Sequence, residues 1–148
     1  MFAPKKILVP TDFSKFSDNA LRQAYDMAKT YKAKIYLLHV AWISQICTID
    51  YCLDQASVDA LHKRTIKAAE DMMQKQIKRV VKSKDVEIIA DITKGNPYEE
   101  ILKEEKTRKI DLIVIASHGM TGILGHLMGS MAEKILRGAK CPVVLVKK

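Results

Sequence analysis

Five short aliphatic runs alternate along the chain with segments of helical periodicity, and this alternation limits the fold more than any other feature. The first run, Ile7-Leu8-Val9, stops at Pro10-Thr11-Asp12, as a buried strand ending in a polar loop does. Comparable runs occupy residues 35–40, 86–92, 112–116 and 143–146. The third alternates only partly, with Glu87 and Asp91 interrupting Val86, Ile88, Ile89 and Ile92, which suits a strand near a sheet edge. From Ser17, Ala20, Leu21, Ala24, Met27, Ala28 and Tyr31 recur at helical spacing, leaving Arg22, Asp26 and Lys29 to face water. A long second helix follows Val58, Leu61, Thr65, Ala68, Ala69, Met72, Met73, Ile77 and Val80. Gly95-Asn96-Pro97 announces a third, with Asn96 as N-cap, Pro97 at the first helical position and Glu99 and Glu100 beside the positive dipole end. It is expected to run to about Lys109. A fourth is predicted from a Ser130/Glu133 capping box, a buried face of Ala132, Ile135, Leu136 and Ala139, and Gly138 as C-terminal cap.

Strand-helix alternation implies an α/β fold: an open, twisted, five-stranded parallel sheet with helices on both faces. In such sheets ligands sit beyond the carboxyl ends of the strands, where the strand order reverses. The loops after strands one and four are therefore the places to expect a site. The chain has 148 residues, 48% of them hydrophobic and 28% charged, enough apolar surface for one domain over residues 1–148 and too much for disorder. Its apolar runs fall far short of the ~20 residues needed to cross a bilayer. The N-terminus enters the first strand without a leader pattern, so a cytoplasmic location is expected. Cys47, Cys52 and Cys141 form no metal-like C-x-x-C pair, and reduced thiols are expected. The formal charge of +8 keeps polyanions in view, yet the basic residues Lys63, Arg64, Lys67, Lys75, Lys78, Arg79 and Lys82 lie on one helix face without interleaved aromatics. They read as a solvated face rather than a nucleic-acid surface. Residues 41–57, which hold Trp42, Cys47 and Cys52, lack periodicity and read as a long loop.

The fourth strand empties into a loop containing four of the six glycines, in which nine residues separate Gly119 from Gly129-Ser130. Glycine allows close approach of an oxyanion, and the first N–H groups of the following helix have no internal partners. Met131 and Ala132 N–H, the Ser130 hydroxyl and the Gly119 backbone are thus an anion-binding candidate, with a flexible, well-capped turn as the alternative. The pattern is neither a Walker A loop nor a G-x-G-x-x-G fingerprint. No base is placed beside Ser130, no G-x-S-x-G elbow is present, and His126 reads as a solvent-facing loop residue.

The stretch Ala116-Ser117-His118-Gly119, Gly129-Ser130, Ala132-Glu133-Lys134-Ile135-Leu136 and Cys141-Pro142-Val143-Val144-Leu145-Val146 resembles the C-terminal signature of the universal stress protein family. Ile7-Leu8-Val9-Pro10-Thr11-Asp12-Phe13-Ser14 and Leu38-His39-Val40 resemble the same family, so the likeness spans essentially the whole chain. The resemblance implies an adenine-nucleotide α-hydrolase-like fold with strand order 3-2-1-4-5 and a homodimer formed by the last strand, Val143–Val146. ATP-binding members carry G-x-x-G, nine residues, then G-[ST]; here Ala116 replaces the first glycine, and its methyl is expected to crowd the ribose or the backbone approach. By the same resemblance, Pro10, Thr11 and Asp12 lie beside ribose and metal, and the Val40 backbone reads the adenine edge. Gly119, Gly129, Ser130, Met131 and Ala132 cradle the triphosphate, with His118 beside them. Asp12, the only carboxylate in these motifs, is either a Mg2+ or Mn2+ contact shared with phosphates and water or a cap for the first helix. The expected function is an ATP-binding stress-response regulator. The alternatives are an interaction protein of the same fold that binds no nucleotide, and a slow ATPase, although the S-G-G-x-D-S loop of adenylating relatives is missing.

Overall fold

A computed structural model describes residues 1–42, 54–119 and 128–147. Its elements are β1 (Lys6–Pro10), α1 (Lys15–Tyr31), β2 (Lys34–Ala41), α2 (Gln55–Val80), β3 (Ile88–Lys94), α3 (Pro97–Arg108), β4 (Leu112–Ala116), α4 (Ser130–Gly138) and β5 (Val143–Val146). The five strands form one parallel sheet in the order β3-β2-β1-β4-β5. The partly alternating third strand does lie at an edge, and the fully apolar first strand lies at the centre, where Ile7, Leu8 and Val9 have no exposed surface.

Because side chains alternate across a strand, the sheet feeds two cores. Ile7, Val9, Ile35, Leu37, Leu112, Val114 and Ala116 pack against Leu21 and Ala24 of α1 and Met73 and Val80 of α2. Leu8, Leu38, Ile113 and Ile115 pack on the opposite face against Ile101 of α3 and Ile135 of α4. The three-dimensional structure shifts several boundaries. Helix α1 starts at Lys15 rather than Ser17, because Ser14 is its N-cap and accepts a hydrogen bond from Ser17 N–H at 3.2 Å. Strand β3 begins at Ile88 and reaches Lys94. Leu61, Met72 and Leu136, assigned to buried stripes, are nearly half exposed: Leu61 lies in the part of α2 before its first buried residue, and Met72 and Leu136 stand at the edge of the stripes formed by Met73 and Ile135. In α2 the buried residues are Ala69, Met73, Gln76 and Val80, all in its last three turns.

Helix α3 follows the sequence closely. Asn96 accepts from Tyr98 and Glu99 N–H at its N-terminus, and Lys109 closes it in the left-handed conformation. Helix α4 does not: its N-cap is Gly129, Ser130 is the first helical residue, and Glu133 pairs with Arg137 at 3.0 Å instead of closing a capping box. Gly138 is the last helical residue rather than a left-handed cap, and Ala139 ends the helix with extended backbone. A Cβ at Gly138 would run into the Tyr98 hydroxyl, so glycine here serves α3–α4 packing. Between the same helices, buried Glu105 accepts the N–H groups of Lys140 and Cys141, each at 2.7 Å. Burial, reinforced by this carboxylate, pushes the Cys141 thiol up to about 12. Cys47 and Cys52 lie outside the described residues.

Asp18, in the first turn of α1, is buried and receives the Arg79 guanidinium in two hydrogen bonds of 2.8 and 2.9 Å. Burial opposes ionisation, but the hydrogen bonds from Arg79 and Gln76 outweigh it and hold the carboxyl below its ordinary value. A depressed folded-state pKa stabilises the fold above the unfolded-state value and ceases to do so as pH falls through the folded-state value. Asp18→Asn should therefore lower unfolding free energy at pH 7 by about 2 kcal/mol. Urea titrations at stepped pH should show that penalty constant down to about pH 4 and shrinking below it.

Candidate functional site

The sheet reverses its winding between β1 and β4. The chain steps outward from β1 to β2 and β3, then returns to pair β4 on the other side of β1, with Ile7 opposite Leu112 and Leu8 opposite Ile113. The two loops leaving this pair diverge, and a cavity of about 580 Å3 opens beyond their carboxyl ends. That volume lies within the roughly 300–1,000 Å3 of small-molecule sites.

The described structure brings all eleven predicted site residues to this cavity. Pro10, Thr11 and Asp12 come from the end of β1, and Val40 from the end of β2. Ala116, His118 and Gly119 leave β4, and Gly129, Ser130, Met131 and Ala132 open α4. His126 lies outside the described residues. Sequence reasoning missed His39, Ser117, Ser17, Pro97, Ile101 and Glu133, which also line the wall. His39 is visible inside Leu38-His39-Val40; Pro97 is read only as the first residue of α3, and nothing in the sequence marks Ile101 as part of a site.

The wall has two chemical characters. Leu38, Val40, Pro97, Ile101 and Ile115 give an apolar side facing α3. The other side is polar and tightly held. Thr11 N–H donates to Leu38 O at 2.8 Å, His39 Nδ1 lies 2.8 Å from Thr11 O, and the His39 ring rests on Phe13 with centroids 4.3 Å apart. Because Thr11 O can only accept, Nδ1 is the protonated nitrogen in this contact. Ser117, 2% exposed, places its hydroxyl 2.9 Å from His118 Nδ1. Ser117 O accepts Gly129 N–H at 2.6 Å, closing the two ends of the glycine loop on each other. The Gly129 amide is thereby used within the protein, and the first turn of α4, whose N–H groups have no partner inside the helix, borders the cavity through Ser130, Met131 and Ala132. Glycine at the N-cap adds no side-chain partner for them.

Asp12 is not the cap of α1, a role taken by Ser14. Its Oδ1 accepts Ser14 N–H at 3.0 Å, while Oδ2 lies 2.6 Å from where a Cβ on Gly119 would stand. The carboxylate thus fills the space a side chain at residue 119 would need. The Ala116 methyl belongs to the α1-side core, and the residue is 8% exposed, because it continues the Val114 face of β4. The residue also lines the cavity. Among the described residues no three His, Cys, Asp or Glu side chains form a cluster able to hold a metal ion unaided.

Fold and cavity together define a doubly wound α/β domain whose candidate site lies at the reversal of strand order. The profile of the universal stress protein family matches residues 4–147, and the chain belongs to that family. A universal stress protein of Methanocaldococcus jannaschii is 31% identical over 144 residues, covering 97% of this chain and 82% of the relative. The universal stress protein UspA from Lactobacillus plantarum has the same fold, with a TM-score of 0.76 at 24% identity over 96% of this chain and 97% of that one. So has a universal stress protein crystallised in complex with cAMP, with a TM-score of 0.73 at 22% identity over 97% of each chain.

The Asp12–Gly119 contact gives a direct test. Gly119→Ala should cost about 1–3 kcal/mol in urea unfolding, because the carboxylate must leave its place. In an Asp12→Ala background the same substitution should cost well under half as much, the coupling expected of side chains in contact.

Proposed function

We propose that this universal stress protein binds ATP with Mg2+ or Mn2+ in the cavity at the β1–β4 reversal and acts as a nucleotide-dependent regulator in stress response. The observation that carries the reading is the composition of the wall. One side is apolar, as a purine base would require, and the other offers the first turn of α4, without a side-chain cap, beside a loop end where Gly119 leaves no side chain. The cAMP held by a protein of the same fold supports an adenine nucleotide as the ligand class.

In this reading the base lies between Val40 and Ile101, and Pro10 and Thr11 border the ribose. Met131 and Ala132 N–H groups and the Ser130 hydroxyl meet phosphate oxygens. Asp12 is the candidate protein ligand of the cation, which takes its remaining ligands from phosphates and water. When bound, the cation neutralises charge on the phosphates. Glu133 is engaged with Arg137 and Asp12 with Ser14, so neither is poised to activate water, and slow or absent hydrolysis is expected.

Titration calorimetry of nucleotide-stripped protein should give micromolar binding of ATP with Mg2+. Gly129→Val should abolish it, because even a Cβ there meets Ser117 O at 3.2 Å. No heat from the parent protein at millimolar ATP would overturn the reading in favour of a nucleotide-free interaction protein. Turnover at ordinary ATPase rates would overturn the regulator in favour of an enzyme.

The proposal extends to a homodimer through β5, whose four residues are all partly exposed and which borders the sheet. An apolar edge of this kind invites pairing. Sedimentation equilibrium should give twice the 16.7 kDa chain mass, and dilution should speed amide exchange in β5 while leaving β1 unchanged. A monomer mass at all concentrations would remove the dimer.

A further inference from the structure

Gln76 is a polar residue where the periodicity of α2 demands an apolar one. It lies three residues after Met73 and four before Val80, in the stripe facing the sheet, and it has no exposed surface. A buried amide is costly unless its hydrogen-bonding groups are used, and those of Gln76 are used on the loop that leaves β1 and on the first turn of α1. Its Oε1 accepts the Thr11 hydroxyl at 2.8 Å, while Nε2 donates to Ser17 Oγ at 3.2 Å and Asp18 Oδ1 at 2.8 Å. Reversing the amide would set its oxygen against the Asp18 carboxylate, so Asp18, itself clamped by Arg79, fixes which end faces Thr11.

That loop is under local strain. Phe13 has φ of 65°, in the left-handed region that side chains disfavour. The conformation is held by Phe13 N–H donating to Thr11 Oγ1 at 3.1 Å and Ser14 N–H donating to Asp12 Oδ1 at 3.0 Å. The Thr11 hydroxyl therefore joins three partners: it accepts from the strained residue, gives its proton to Gln76, whose oxygen can only accept, and stands 3.1 Å from Ser17 Oγ. A methionine at residue 76 would fill similar space with less polar desolvation. The amide is explained by the loop it holds rather than by packing.

We propose that Gln76 is a positioning residue for the cavity: through Thr11 it holds the strained turn that places the Asp12 carboxylate against Gly119, and so sets the affinity for a metal-bound nucleotide. The second half of this statement rests on the ATP reading given above. The first half does not.

The experiment compares the parent with Gln76→Met by amide hydrogen exchange without ligand and by calorimetry with ATP, once with Mg2+ and once with EDTA. The Phe13 and Ser14 amides should exchange at least about tenfold faster in the variant while those of β1 and β4 stay protected. The dissociation constant for Mg2+-ATP should rise about tenfold, as outer partners of metal-site ligands typically produce, and that for metal-free ATP by less than half of that factor. Thr11→Val, which removes the Phe13 acceptor itself as well as the bond to Gln76, sets the upper limit of the exchange increase; if Gln76→Met does not fold, Gln76→Leu, which removes only the acceptor of the Thr11 hydroxyl, decides the matter. Unchanged exchange at Phe13 and Ser14 overturns the proposal, as does an equal loss of affinity with and without Mg2+. If the parent itself binds no ATP, the functional reading falls, its affinity half falls with it, and the exchange arm alone decides whether Gln76 positions the turn.

Discussion

The parallel pairing of β1 with β4 is the constraint on which the rest of the molecule depends. Parallel neighbours require crossovers, and each crossover places a helix on a face. When β4 pairs on the far side of β1, the helices after β1 and β2 fall on one face and those after β3 and β4 on the other. The loops leaving β1 and β4 must part, and no side chain of either strand can fill the gap between them. The cavity is thus a consequence of strand order, and the sequence only decides what lines it.

What lines it is unusual for a site that would take a polyanion. Its described wall has no lysine or arginine and includes the carboxylates of Asp12 and Glu133. The excess positive charge of the chain lies elsewhere, much of it on α2. Attraction for phosphate must then come from oriented backbone N–H groups, which are fixed by the fold and need no counter-charge when unoccupied. In the proposed complex, Asp12 is the carboxylate available to the cation.

Much of this was legible in the order of residues because the signals are local. Alternating strand and helix patterns gave the class, the Asn96-Pro97 start gave α3, and the glycine spacing with its flanking motifs located the cavity wall. Failures arose where partners are distant in sequence. Ser130 followed by Glu133 has the form of a capping box, but Arg137, one turn further on, takes the glutamate, and Gly129 takes the cap. Leu61 satisfies helical periodicity, yet periodicity cannot say where the covering surface ends; Met72 satisfies it too, yet periodicity cannot say how wide the covered stripe is. Gln76 left a signal, a polar residue inside an apolar stripe, whose meaning required Thr11, 65 residues away, to be in view.

The unequal burial of α2 has an energetic consequence of its own. A helix of 26 residues that buries side chains only in its last three turns is held at one end, and its first half is retained mainly by its own backbone bonds. Isolated helical segments of that length are marginal in water, so residues 55–68 should open and close as a separate unit while the remainder of α2 stays locked to the sheet. Selection can then alter the outer arm with little effect on either core, whereas the inner turns, which carry both apolar packing and the bonds to the β1 loop, have little room to change.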